Sequence, residues 1–145
     1  DPWFIVDSAP HEARLIRVAR EVNDSKPHVV MEKVYEAVRM TENPKVACLG
    51  LAFKPDIDDL RESPSLQIAE KLAAVALDEL LVVEPNVHVL PASLANQKNV
   101  RLVSLEEAMR NANIVLLLVD HKEFKGMDRA LLKGKTVIDT RGIFA

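Results

Sequence analysis

Lys54, Arg61 and Arg141 are the side chains from which a binding chemistry is most readily built. An ammonium is a compact charge, and a guanidinium is a planar fork that grips two oxygens at once. The set therefore suits a phosphate-bearing ligand. Lys54 and Arg61 share one stretch with Phe53 and four acidic residues: Gly50-Leu51-Ala52-Phe53-Lys54-Pro55-Asp56-Ile57-Asp58-Asp59-Leu60-Arg61-Glu62-Ser63-Pro64-Ser65. Arg141 comes from a second stretch, Asp139-Thr140-Arg141-Gly142. Glu84 and the pair Asp120-His121 also stand directly after apolar runs.

Other chemistries find less support. Asp56, Asp58 and Asp59 look like a divalent-ion cluster, but the loop lacks a carbonyl-rich calcium pattern. A solvated or Arg61-paired loop is expected, and no metal. His121 has no Cys or His at metal-ligand spacing and is expected to cap a helix or lie at the surface. Glu84 either joins the ligand rim or faces solvent. Cys48, the single cysteine, lies in an apolar run and reads as a small buried residue. No Ser/His/Asp or Cys/His set for nucleophilic catalysis is convincing.

Stretches so far apart need a scaffold that brings them to one edge, and the chain alternates strand and helix in a way that supplies it. Val46 to Gly50 is predicted as a first strand and Ser65 to Leu77 as a helix, with Ser65 a candidate cap. Strands follow at Glu79 to Val83, Val100 to Val103, Ile114 to Val119 and Thr136 to Asp139. Ser104 opens a helix to Asn111, with Glu107 completing a capping box. Phe124 and Met127 to Leu132 suggest another short helix. The run Ile114 to Val119 does not alternate, which suits a strand covered on both faces. The expected fold class is α/β: a Rossmann-like, doubly wound parallel sheet preceded by a helical segment. The boundary is placed at Thr41-Glu42-Asn43-Pro44, with a helical segment over 1–43 and the sheet domain over 44–145. Within the helical segment two helices are expected, Ala9 to Asn23 and Ser25 to about Met40, broken at Asn23-Asp24-Ser25. In a parallel sheet the carboxyl ends of all strands share one edge, so Phe53, Lys54, Arg61, Glu84, Asp120, His121 and Arg141 gather on one rim. The dinucleotide fingerprint Gly-x-Gly-x-x-Gly is missing, because Gly50 stands alone at the first turn. Side chains must then hold more of any phosphate.

The 145 residues amount to one ordinary domain, or one small domain with an appendage. A net charge of −3 gives no reason to propose nucleic acid or an anionic membrane as a partner. No apolar run approaches the ~20 residues of a membrane span. A cytoplasmic location fits this composition. The opening Asp1-Pro2-Trp3-Phe4-Ile5-Val6 lacks an initiator Met and is apolar from its third residue, so it reads as the interior of a longer protein.

The Gly50–Ser65 stretch resembles the C-terminal motif of the UDP-glucose/GDP-mannose dehydrogenase family. Asp139-Thr140-Arg141-Gly142 resembles that family's last-strand motif. Asp1 to Val6 resembles the segment just after the family's catalytic cysteine, and its Pro-Trp-Phe form is most similar to the branch acting on UDP-N-acetyl-D-mannosamine. The resemblance covers essentially the whole chain. It implies two NAD-dependent oxidations of a sugar C6 alcohol to a carboxylate, through a cysteine thiohemiacetal and thioester. It implies that an N-terminal domain holds NAD, that a helical middle region makes a homodimer, and that the C-terminal domain binds UDP. By position it implies that Asp1 assists the water chemistry, that Phe53, Lys54 and Arg141 contact the UDP-sugar, and that Arg61 lies near NAD. The cysteine and the NAD domain would precede Asp1, so this chain alone is expected to be inactive. UDP-glucose or UDP-N-acetylglucosamine as the substrate, or a non-catalytic nucleotide-binding or oligomerisation module, remain the alternatives.

Overall fold

Each inner strand of this chain carries apolar residues on both faces, and the layers follow from that. The computed structural model describes residues 7–9, 11 and 13–144, without the side chains of Arg20, Asn23 and Asp24. Five strands form one sheet: β1 (Lys45–Leu49), β2 (Glu79–Val83), β3 (Val100–Leu102), β4 (Ile114–Leu117) and β5 (Thr136–Asp139). All neighbours pair in parallel, in the order β3-β2-β1-β4-β5. Alternate residues point to opposite sides. Val46, Cys48, Leu80, Val82, Ile114 and Leu116 enter one core, and Ala47, Leu49, Leu81, Val83, Val115 and Leu117 enter the other.

Helices cover both cores. On the first side lie α1 (Arg14–Arg39), α2 (Pro64–Ala73) and the single turn α3 (Ala92–Ala95), contributing Met31 and Val34, Ile68 and Leu72, and Leu94. On the second lie α4 (Leu105–Asn111), α5 (Lys122–Lys125) and a 3-10 turn (Arg129–Leu132), contributing Ala108 and Met109, Phe124, and Leu132. The doubly wound sheet expected from the sequence is present. The strand order reverses between β1 and β4, and that switch point opens a crevice beyond their carboxyl ends. Among the described residues no helix is long and apolar enough to cross a membrane.

The structure corrects several local expectations. The predicted break at Asn23-Asp24-Ser25 is absent, and α1 runs unbroken through Pro27. A proline removes one i→i−4 bond, which a long helix can tolerate. Ser25 turns its hydroxyl back to the Val22 carbonyl at 2.7 Å instead of capping a new helix. The cap of α2 is Ser63, not Ser65: its Oγ accepts the Leu66 N–H at 3.3 Å, and Pro64 follows as the first helical residue. That helix stops at Ala73, short of Leu77, because β2 must begin at Glu79. Leu77 still packs into the core. Only half of the capping box at Ser104 forms. Ser104 Oγ accepts the Glu107 N–H at 3.1 Å, while the Glu107 carboxylate takes Arg101 at 3.1 Å. The strands end one or two residues earlier than expected, at Leu49, Leu102 and Leu117, and α3 had no period long enough to announce it.

Candidate functional site

The connector from β1 to α2, residues 50–63, dominates the crevice. Gly50 starts it with φ +99°, where a Cβ would stand 2.6 Å from Val119 Cβ; only glycine fits that crossing. The rest is held by hydrogen bonds rather than by regular structure. Ser63 Oγ donates to the Leu51 carbonyl at 2.6 Å, and the Phe53 N–H donates to the Asp59 carbonyl at 2.9 Å. Arg61 grips Asp59 through Nε and Nη2, both at 3.0 Å. Those bonds and the neighbouring charge hold the Asp59 carboxyl down at about 2. The Arg61-paired loop expected from the sequence is thus seen, and among the described residues no group of three or more His, Cys, Asp or Glu could hold a metal ion.

Beneath the connector lies a buried polar cluster that sequence reasoning missed. Glu84, at the carboxyl end of β2, is 3% exposed, and His121, after β4, is fully buried. Glu84 Oε2 accepts the Leu51 N–H at 2.7 Å and the Ala52 N–H at 3.1 Å, and sits 3.0 Å from His121 Nε2. Its Oε1 accepts the Asn86 N–H at 3.2 Å. The Asp56 N–H donates to His121 Nδ1 at 2.8 Å. A backbone N–H can only donate, so Nδ1 is the acceptor and the imidazole proton sits on Nε2, given to Glu84. Burial alone would raise the Glu84 carboxyl, but His121 and the backbone donors together hold it below its ordinary value. The expectation that His121 caps a helix or lies at the surface is overturned. It stands at the N-cap position of α5, yet its side chain makes no capping bond and turns inward. A solvent-facing Glu84 is likewise excluded, since its partners are in the interior. The partial signal was positional: Glu84 follows the apolar run Leu80–Val83, and Asp120-His121 follow the apolar run Ile114–Val119.

These contacts bear on a dinucleotide. The first-turn amides that a Rossmann domain turns toward a pyrophosphate are here taken by a carboxylate of the chain itself. The residues at this turn do not fit a dinucleotide held in that way.

Above the connector an open cleft of about 1190 Å³ runs between α1, the start of α2 and the ends of β4 and β5. Phe53 and Arg141 both line it, together with Lys26 and Lys33 of α1. Arg141 is carried by a tight turn in which Asp139 Oδ1 accepts the N–H groups of Arg141 (2.9 Å) and Gly142 (2.8 Å), and Oδ2 that of Phe144 (2.8 Å). Burial opposes the Asp139 charge, but these donors prevail and hold its carboxyl low. Arg141 Nε donates to the Leu118 carbonyl at 3.0 Å and lies 3.9 Å from Asp120. Phe53 is 46% exposed, and Lys54 Nζ lies 5.8 Å from its ring. Neither Lys54 nor Arg61 lines the main cleft; Arg61 borders a shallower hollow beside Phe53. Asp1 is outside the described residues. Cys48 is fully buried in β1, where burial and then the charge of Glu84 push its thiol up to about 12.

Known proteins resemble this chain in sequence and in fold. A relative in Ralstonia nicotianae named NDP-N-acetyl-D-galactosaminuronic acid dehydrogenase is 52% identical over the whole chain, which covers 34% of its length. A Campylobacter jejuni relative named UDP-N-acetyl-D-mannosamine dehydrogenase is 55% identical over 86% of this chain and 30% of its own. Among solved structures, the UDP-N-acetyl-mannosamine dehydrogenase Cap5O of Staphylococcus aureus superposes with a TM-score of 0.76 at 31% identity, over 99% of this chain and 33% of that one. The chain thus spans about a third of the length of the relatives it matches. Residues 47–145 match the UDP-glucose/GDP-mannose dehydrogenase family, UDP binding domain, so the chain belongs to that family.

Proposed function

We propose that this chain is the UDP-binding part of an NAD-dependent UDP-sugar 6-dehydrogenase, with UDP-N-acetyl-D-mannosamine as the sugar nucleotide. The observation that carries the sugar is the 55% identity with the Campylobacter jejuni UDP-N-acetyl-D-mannosamine dehydrogenase. The site agrees with such a ligand. Arg141 offers a fork for pyrophosphate oxygens at the cleft wall, and Phe53 offers a ring for an apolar face of the nucleotide. Lys54, beside Phe53, adds a positive charge at the rim. Arg61 is assigned to the vicinity of NAD, which another domain would hold, and Asp1 to the water chemistry. The full-length protein is proposed to be a cytoplasmic homodimer. Cys48 cannot supply the nucleophilic thiolate, because burial keeps it protonated at neutral pH.

A second reading has specific support. The Ralstonia relative that acts, by name, on an N-acetylgalactosamine-type sugar is 52% identical over all 145 residues. Rates of NADH formation by the full-length protein with UDP-N-acetylmannosamine, UDP-N-acetylgalactosamine and UDP-glucose separate the two. The highest kcat/KM is expected on the first. A preference for the second moves the assignment, and no turnover of any of them favours a nucleotide-binding module without chemistry. Arg141→Ala is expected to lower kcat/KM about 100-fold, roughly 2.7 kcal/mol of transition-state binding. An unchanged kcat/KM would remove Arg141 from the site.

A further inference from the structure

We propose that the buried Glu84–His121 pair is a positioning device, setting the backbone of residues 51–56 so that Phe53 lines the nucleotide cleft with Lys54 beside its ring; this rests on the UDP-sugar reading above. The pair's hydrogen bonds to the connector all go to its main chain, and the one side-chain atom near it is Asp56 Oδ1, 4.0 Å from His121 Nδ1. Glu84 holds the N–H groups of Leu51 and Ala52, and His121 holds the N–H of Asp56. Phe53 and Lys54 fall between these clamps. Asp56 needs them, since it sits at φ +61°, a left-handed conformation, and its Oδ1 accepts the Lys122 N–H at 2.9 Å. One hydrogen-bonded chain therefore ties together the segments that leave β1, β2 and β4.

The internal carboxylate also sets where a ligand's anion goes. With the first-turn amides satisfied by Glu84, a pyrophosphate has no donors at that turn. Its charge is left to side chains farther out, and Arg141 stands on the cleft wall. A buried carboxylate and imidazole carry a desolvation penalty that apolar residues would avoid. Their hydrogen bonds reach the main chain of Leu51, Ala52, Asp56 and Asn86 at the carboxyl edge of the sheet, where the Leu51 side chain turns into the first core.

Two substitutions split the clamp. His121→Gln can still donate toward Glu84 but offers no acceptor at the position of Nδ1. His121→Asn can place an acceptor near Asp56 but no longer reaches Glu84. In the full-length enzyme His121→Gln is expected to raise the Kd of UDP, by calorimetry, and the KM of the UDP-sugar about tenfold, with kcat changed less than about threefold. His121→Asn should recover part of that loss. In the wild type, hydrogen exchange should find the amides of Leu51, Ala52 and Asp56 protected before UDP is added. Free exchange at those three amides overturns the proposal without any variant. So does wild-type UDP binding that both variants retain in full, even if their melting temperatures fall, because the pair would then serve stability alone. A wild type that binds no UDP sinks the underlying reading instead, and the proposal with it.

Discussion

At Gly50 the absence of a methyl group decides whether β1 and β4 can sit side by side. Its backbone N–H donates to the Val83 carbonyl at 2.9 Å, and the chain then turns through φ +99° against Val119. Gly50→Ala would press a Cβ into Val119 Cβ at 2.6 Å and strain the dihedral as well. Overpacking of about 1–3 kcal/mol and a left-handed penalty of about 1 kcal/mol give an expected loss of roughly 2–4 kcal/mol. Urea denaturation would measure it, and a midpoint equal to that of the wild type would refute the close crossing. A single glycine after an apolar run marks a turn in the sequence. Which side chain it must clear is decided by a partner almost seventy positions away.

The connector and α2 form one unit through Ser63. That residue is 2% exposed; it donates to the Leu51 carbonyl and accepts the Leu66 N–H, so it closes the loop and starts the helix together. Ser63→Ala would remove the cap and leave a buried carbonyl unpaired. An expected cost of about 1–3 kcal/mol follows, together with faster proteolysis of the connector. A variant as stable as the wild type, with the connector equally resistant, would show that the loop is held elsewhere. Ser65 is the candidate cap in the sequence, directly before the first apolar residue of the helix, Leu66. The Ser63-Pro64 pair was the better local mark, since proline favours the first helical position. The same limit explains α1. Polar residues and a proline look like a terminus locally, while Met31, Val34 and Ala37 anchor its second half to the sheet.

Across the whole molecule, Glu84 joins what the sheet keeps apart, and its titration should be felt in global stability. Its carboxyl lies below the ordinary value in the folded state. An unfolded glutamate titrates near about 4.3, so the stabilisation is complete above that pH and is lost as pH falls through the lower folded value. Glu84→Gln should therefore lower the melting temperature most at about pH 7 and progressively less toward about pH 3. An equal gap at both pH values would mean that the charge contributes nothing. The first half of α1 bears on assembly at this scale. Leu15, Val18 and Val22 are more than half exposed there.

Local pattern alone was enough to find five strands, the helices after β1 and β3, and the edge on which Phe53 and Arg141 line one cleft. Burial on both faces writes unbroken apolar runs, and parallel strands place their carboxyl ends together whatever the details between them. Lys54 and Arg61 were placed on the right loop, but their distance from the main cleft depends on how that loop is pinned. The Glu84–His121 pair was beyond reach for a physical reason. No spacing marks it, because its members lie 37 positions apart. Whether a polar side chain is solvated or buried is set by what the fold lays over it. Only the folded sheet, with the connector drawn across its edge, turned two rim residues into an internal clamp.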